Sequence, residues 1–282
     1  MKQHIRQLSL AATAFLLSAC VAVNTQLGRD IADRGEAIAT NVRDCQLLLN
    51  RPTVAPSDPL ETHSIGLLNW NIRKGTRDSW QKDLRDLAVG KELVLLQEAV
   101  LNFGIEHQLE ELRYSSFSQG FTTGSRTTGV VTYSVRKPLS ECHLTVVEPL
   151  LRSRKATSIT EFSIAGSEKT LVVVNVHAVN ISLGLIRFRD QMEQIRHVLA
   201  VHDGPAILSG DFNTWRQKRM DIVNEITSEL ELSAVLIDED HRKTFNGHAL
   251  DHVFVRGLSI DSSETKRVTS SDHNPISVEL RL

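Results

Sequence analysis

Ile207-Leu208-Ser209-Gly210-Asp211-Phe212-Asn213-Thr214-Trp215 is the stretch whose reading decides the fold. The apolar run Ala206 to Leu208 predicts a buried strand, and the small pair Ser209-Gly210 ends it, so Asp211 and Asn213 emerge at its C-terminal edge. Open α/β sheets carry their chemistry at that edge. A carboxylate and an amide two residues apart there can face one cleft, the first to orient a water or hold a cation, the second to donate to a phosphate oxygen. Taken alone, Asp-x-Asn is also the composition of an ordinary turn.

Four further segments deliver polar groups to the ends of apolar strands. They are Leu67-Leu68-Asn69-Trp70-Asn71, Leu93-Val94-Leu95-Leu96-Gln97-Glu98, Leu171-Val172-Val173-Val174-Asn175-Val176-His177, and Asp251 with Ser271-Asp272-His273-Asn274-Pro275. Between them the pattern predicts strands at Ile65 to Trp70, Lys91 to Gln97, Val130 to Val135, His143 to Val147, Ala156 to Phe162 and Leu171 to Val176, with two more near Val253 and at Ile276 to Leu280. Helices are expected from Asp78, as N-cap, to about Val89, and from about Asn102 to Leu112. A third follows from Leu185, Phe188, Met192, Ile195 and Leu199 at spacings of three and four, and a fourth runs from Trp215 to about Leu232. The polar stretch Ser115 to Thr128 reads as a loop or irregular hairpin. On pattern alone this is an α/β or α+β domain with many strands.

The composition bounds the answer. With 282 residues, 41% hydrophobic and 23% charged, the chain has room for one large domain plus an extension. Lys and Arg total 32 against 34 Asp and Glu, so nothing in the overall charge marks a nucleic-acid binder, and any basic patch must be local. Residues 1–20 read as a signal peptide: Lys2 and Arg6, a short apolar run from Leu8 to Leu17, then Leu17-Ser18-Ala19-Cys20. The run is too short to span a bilayer. Residues 21–61 read as a tether with a short amphipathic helix through Leu27, Ile31, Ile38 and Val42, closed by Pro52, Pro56 and Pro59, and residues 62–282 as the domain. Cys45 and Cys142 can form a bridge in an oxidising compartment or stay as buried free thiols.

The ordered motifs closely resemble the endonuclease/exonuclease/phosphatase superfamily, over about Ser64 to Leu282. The resemblance implies a deoxyribonuclease I-like, four-layer α/β sandwich of two packed mixed β-sheets flanked by helices. It also implies a metal held by Glu98, Asn71 and Asp272, an Asp211-Asn213 pair that positions the attacking water and the scissile phosphate, and His273 as acid/base or phosphate donor oriented by Asp251. Independently of it, a carboxylate such as Glu98 at a buried strand end needs a cation or donors, and Mg2+, with Mn2+ as a substitute, suits such oxygen ligands. His177 stands where deoxyribonuclease-like and sphingomyelinase-like members carry a histidine, and Asn180, three residues on, is read as a substrate-binding neighbour in the same cleft. Arg216, with Lys218 and Arg219, follows the central motif and either grips a polyanion or forms a solvated helix face. Trp215 either stacks on a base or plugs the strand end. The Leu-Ser-Ala-Cys sequence resembles a bacterial lipobox, which makes Cys20 the lipidated residue and the cell envelope, facing the periplasm, the location.

Three functions are compatible with these residues: a nuclease, a phospholipid phosphodiesterase or phosphomonoesterase with the same chemistry, and a non-catalytic binding module. The module should have lost motif residues, yet all are present. The lipid enzyme calls for an apolar, aromatic-rich exposed loop, which the sequence does not show: Ser115 to Thr128 is polar apart from Phe117 and Phe121. The expected partners are therefore nucleic acid or another phosphodiester, and a membrane through the anchor, with no protein partner implied.

Overall fold

The computed structural model describes residues 38–49, 58–182 and 184–282. The signal-like segment with Cys20 and most of the expected tether lie outside the described residues. Among the described residues, no helix is long and apolar enough to cross a membrane.

Eleven long strands build two sheets. They are β1 (Ile65–Asn71), β2 (Leu93–Val100), β3 (Tyr114–Thr123), β4 (Arg126–Ser134), β5 (Ser140–Val147), β6 (Arg154–Ser163), β7 (Thr170–His177), β8 (Ala206–Asp211), β9 (Asp251–Arg256), β10 (Ser259–Thr265) and β11 (Ile276–Arg281). One sheet runs β10-β11-β1-β2-β4-β3, and the other runs β5-β6-β7-β8-β9 between the two-residue strands Ile38–Ala39 and Ser233–Ala234 at its edges. Each sheet has one parallel pair at its centre, β1 with β2 and β7 with β8, among antiparallel neighbours. Parallel neighbours need a crossover, supplied by α2 (Trp80–Ala88) between β1 and β2 and by α3 (Ile186–Leu199) between β7 and β8. A further helix, α4 (Gln217–Glu229), follows β8.

The sheets pack through Ile65, Leu67, Leu93 and Leu95 of one and Leu171, Val173, Ile207 and Val253 of the other. Their outer faces are covered by helix and loop side chains such as Trp80 and Leu84. This is the expected sandwich of two mixed sheets with flanking helices. It also explains why Leu93–Leu96 is apolar without alternation: both faces of the strand are covered. Between the sheets lies a polar staple, in which Gln97 Nε2 donates to Asn69 Oδ1 and to Asn175 Oδ1, both at 2.8 Å.

Gly210 is required by close approach. It has φ +148°, and a Cβ there would stand 2.0 Å from the Val176 carbonyl oxygen across the parallel pair. Without it β8 could not lie beside β7 with Asp211 in register with His177.

Several expectations change. Asn102 to Leu112 is not a helix; only Glu106–Gln108 forms a 3-10 turn, because Asn102 and Gly104 hold left-handed φ of 58° and 75° while Phe103 stacks on Trp80. Ser115 to Thr128 falls in the β3/β4 hairpin, bulged between Gln119 and Thr122. The residue before α2 is Ser79, not Asp78, in a left-handed conformation and without a side-chain cap. The strand β10 has no counterpart in the sequence reading, since Ser259–Thr265 is almost wholly exposed and lacks an apolar face. The compact unit spans Ala39–Leu282 and so includes α1 (Val42–Leu49), part of the expected tether. Gln46 of α1 donates to the His197 carbonyl of α3, and Cys45 is buried as a free thiol, as is Cys142 on β5. The Cys142 thiol is pushed up by the neighbouring Cys45 thiol and by burial.

Candidate active site

The C-terminal ends of both parallel pairs converge, and every antiparallel neighbour that starts at this edge adds its first residues. Asn71 ends β1, His177 ends β7 and Asp211 ends β8. Asp251 opens β9 directly opposite Asp211, and His273 lies in the turn that leads into β11 beside β1. Glu98 sits in β2 where the register with β4 slips between Leu96 and Ala99, and its φ is +53°. A bulge of this kind re-aims a side chain that regular alternation would send elsewhere.

Asp211 is the hub. Its Oδ1 accepts the Asn213 backbone N–H at 3.0 Å, and its Oδ2 accepts Asn71 Nδ2 at 2.9 Å. The same Oδ2 lies 3.6 Å from His177 Nε2 and 3.9 Å from His273 Nε2. Burial pushes the Asp211 carboxyl up to about 6, against the pull of His273 and with a further push from Asp251. Asn213 has φ +51° and donates one amide hydrogen to the Ala178 carbonyl at 3.0 Å, which leaves the other for a ligand. The Asp-x-Asn stretch is therefore both a turn and a site.

The two histidines have opposite surroundings. His273 Nδ1 bonds Asp251 Oδ2 at 2.7 Å, its backbone N–H donates to Ser271 Oγ, and its carbonyl accepts Trp70 Nε1. Burial lowers its affinity for a proton, but Asp251 and Asp211 outweigh this and raise it to about 10. His177 Nε2 instead meets the Lys155 ammonium at 2.9 Å, and burial together with that cation holds the ring well below its ordinary range. Lys155 is itself 7% exposed, with its closest carboxylate, Glu148, 4.0 Å away.

Asp211, Asp251 and His273 offer ligand atoms within 4.8 Å of one another, a grouping that can hold a metal ion. Asp251 Oδ1 is buried with no hydrogen-bond partner. Glu98 and Asp272 stand outside that trio, each facing a cation from the 3-10 turn Arg73–Gly75: Glu98 Oε2 bonds Lys74 Nζ at 2.5 Å, and Asp272 lies 3.6 Å from Arg73. A narrow cleft lined by Glu98, Phe121, Arg154 and His177 joins the Glu98 side to His177.

Of the residues singled out in the sequence, Asn71, His177, Asp211, Asn213, Asp251 and His273 come together. Asn180 and Arg216 sit on the rim. The Asn180 backbone N–H donates to Glu148, and the Arg216 guanidinium stacks 4.9 Å from the Trp215 ring and donates to the Gly184 carbonyl. Arg219 is neither a polyanion grip nor solvated; it is fully buried and donates to the carbonyls of Val179, Asn180 and Asn213. Its spacing of three, four and seven from Ile222, Val223 and Ile226 marks it as part of the buried stripe. Lys155 and Lys74 escape sequence reasoning as site residues. For Lys155 the available signal is its place at the start of a strand without exposed alternation.

The family model described as the Endonuclease/Exonuclease/phosphatase family matches residues 68–273. A UPF0294 protein of Vibrio vulnificus (strain CMCP6) is 37% identical over 221 residues, covering 78% of each chain. Among solved structures, an endonuclease/exonuclease/phosphatase from Beutenbergia cavernae has a TM-score of 0.63 at 16% identity, covering 78% of this chain and 72% of that one. The mannosyl-6-phosphatase of Bacteroides thetaiotaomicron has a TM-score of 0.59 at 15% identity, covering 77% and 100%.

Proposed function

The chain belongs to the endonuclease/exonuclease/phosphatase family, and we propose that within it the protein is a divalent-metal-dependent phosphodiester hydrolase acting on nucleic acid at the bacterial cell envelope. The observation that carries the chemistry is Asp211, a buried carboxylate whose Oδ2 lies between the Nε2 atoms of His177 and His273, at 3.6 and 3.9 Å. Above about 6 its carboxylate accepts a proton from an attacking water, and Asn71 fixes its orientation. His273, kept protonated by Asp251, donates to the phosphate or to the departing oxygen. Lys155 brings positive charge beside His177, where a phosphate oxygen gains from it.

The residues present fit a hard divalent cation. Glu98, Asn71 and Asp272 each offer a side-chain oxygen, the donor type such an ion prefers, and the Glu98 carboxylate already pairs with the Lys74 ammonium. Glu98, Asn71 and Asp272 would hold Mg2+, or Mn2+ in its place. When bound, the ion neutralises charge that develops on the phosphate oxygens. The nucleic-acid reading rests on Arg154 in the cleft and Arg216 on its rim. A second reading, hydrolysis of a lipid phosphodiester, is favoured by exposed aliphatic side chains near the site.

The deciding experiment incubates the purified chain and Mg2+ with DNA, RNA, sphingomyelin and inositol phosphates, beside a chelator control. Cleavage of DNA or RNA that the chelator stops is the expected result; turnover of sphingomyelin alone would transfer the proposal to lipids. Calorimetric Mg2+ binding that survives Glu98→Gln would remove Glu98 from the metal set. Anchoring through Cys20 predicts that Cys20→Ser releases the protein from the membrane fraction.

A further inference from the structure

Exposed aliphatic side chains are unevenly distributed. Val147, Leu150, Leu151, Ile181 and Ile186 are 46–72% exposed, and all five lie in or at the ends of two loops that border the catalytic edge: Val147 ends β5 before the first, which carries Leu150 and Leu151, and Ile181 lies in the second, which ends where Ile186 opens α3. Scattered surface aliphatics need no explanation, but a cluster beside a cleft does.

These loops are built rather than loose. The Glu148 side chain, 1% exposed, accepts the backbone N–H groups of Asn180 and Ile181 with Oε1, at 2.6 and 2.9 Å, and the Ser153 hydroxyl with Oε2 at 2.5 Å. One buried carboxylate thus ties both loops together, while the Glu148 N–H donates to the Ser153 carbonyl and closes the turn that carries Leu150 and Leu151. Arg219 fixes the second loop to Asn213 from the other side. The leucines are therefore held outward by a framework that cannot collapse onto them. Arg152 and Arg154, both exposed, flank the same turn.

We propose that this face docks on an anionic lipid bilayer, with Leu150, Leu151, Ile181 and Ile186 entering the head-group boundary and Arg152 and Arg154 meeting the acidic head groups. Aliphatic residues ringed by arginine match that interface in both polarity and charge. The chain outside the described residues agrees with it in reach. Only 17 residues lie between Cys20 and Ile38, so an anchor at Cys20 confines the domain to within about 60 Å of the membrane. Docking by this face would turn the cleft toward the lipid surface. The inference shares Arg154 with the nucleic-acid reading of the cleft, and its test reads vesicle binding alone, not cleavage.

The test is co-sedimentation of the full chain, carrying Cys20→Ser throughout so that no acyl group contributes, with phosphatidylethanolamine vesicles made with and without phosphatidylglycerol. Binding to the anionic vesicles should weaken about tenfold in Leu150→Ser/Leu151→Ser. It should weaken about 30-fold in Arg152→Gln/Arg154→Gln, and fade as salt rises. Val89→Ser, an exposed aliphatic after α2 at the far end of the strands, should change nothing. All four residues changed in the first two variants are exposed, so melting temperatures should be preserved. Equal binding by the leucine variant, equal loss in Val89→Ser, or no binding by the unaltered surface would each overturn the proposal.

Discussion

The two flanks of Asp211 carry the same residue at nearly the same distance and hold it in opposite states. On the β9/β11 flank His273 is surrounded by Asp251, Asp211 and Asp272 and retains its proton up to about 10. On the β6/β7 flank His177 faces Lys155 and stays neutral through the ordinary histidine range. Both rings are buried, and burial disfavours the imidazolium in each. What separates them is the charge packed against each ring, so the role of a histidine is set by the groups that the fold brings to it more than by its own position.

The strongest way to break the contrast is to remove what the two flanks share. Asp211→Asn should lower kcat on DNA by about 10⁴-fold while the melting temperature holds, because a buried carboxylate is lost and the volume kept. A variant that retained a tenth of the rate would dismiss Asp211 as the proton acceptor. Next in size, His273→Ala should cost about 10³-fold and His177→Ala about 10²-fold, the latter in kcat with KM nearly unchanged. Should His177→Ala lower only the melting point, that ring is packing.

The contrast also predicts the pH profile. Activity should rise through about 6 as Asp211 ionises and fall through about 10 as His273 loses its proton. Asp251→Asn should draw the alkaline limb toward neutrality, and an unmoved limb would reject Asp251 as its cause. For stability the signs are as follows. His273 has a raised pKa, so its contribution is complete below its unfolded value of 6.5 and disappears as pH climbs to about 10. Asp211 is also raised, and its contribution disappears between 3.8 and about 6. His177 is lowered, so its contribution is present above 6.5 and is lost on acidification. Melting temperature should therefore decline from pH 7 to 10.

Two smaller effects sharpen the comparison. Lys155→Met should let the His177 ring titrate closer to its ordinary value, seen by NMR, and cost about tenfold in rate, as expected for one charge-assisted hydrogen bond. A ring that titrates as before would clear Lys155 of controlling it. Lys74→Ala should tighten Mg2+ binding only about fivefold, by freeing Glu98 from a partly exposed ion pair. Weaker binding in that variant would mean that Lys74 assists the cation instead of competing with it.

Much of this was legible from strand ends. Apolar runs followed by Asn71, His177 and Asp211 locate one edge of each sheet, and the Asp-His pair of Asp272-His273 falls at the same edge. Charge state was not legible. Lys155 follows Arg152 and Arg154 in the sequence, and its contact with His177, which sets the buried cation apart from the two exposed ones, is made only by the fold. Nor does the text of Leu-Gln-Glu disclose the bulge that turns Glu98, because it depends on the register with β4, about 30 residues on. The missing helix at Asn102 to Leu112 has a similar cause: Phe103 is bound to a distant Trp80, and that contact outweighs local propensity.

The position of β11 has a consequence for the order of assembly. It is the strand that fills the gap between β10 and β1, pairing Ile276 with Asn69 across more than 200 residues of chain. During synthesis, β1 through β8 can associate early from neighbouring segments, yet Asp251 and His273 are still to be made. The hydrolytic centre is thus completed by the last segments to emerge, and a nascent chain carries Asp211 without its protonated partner until β11 closes the sheet.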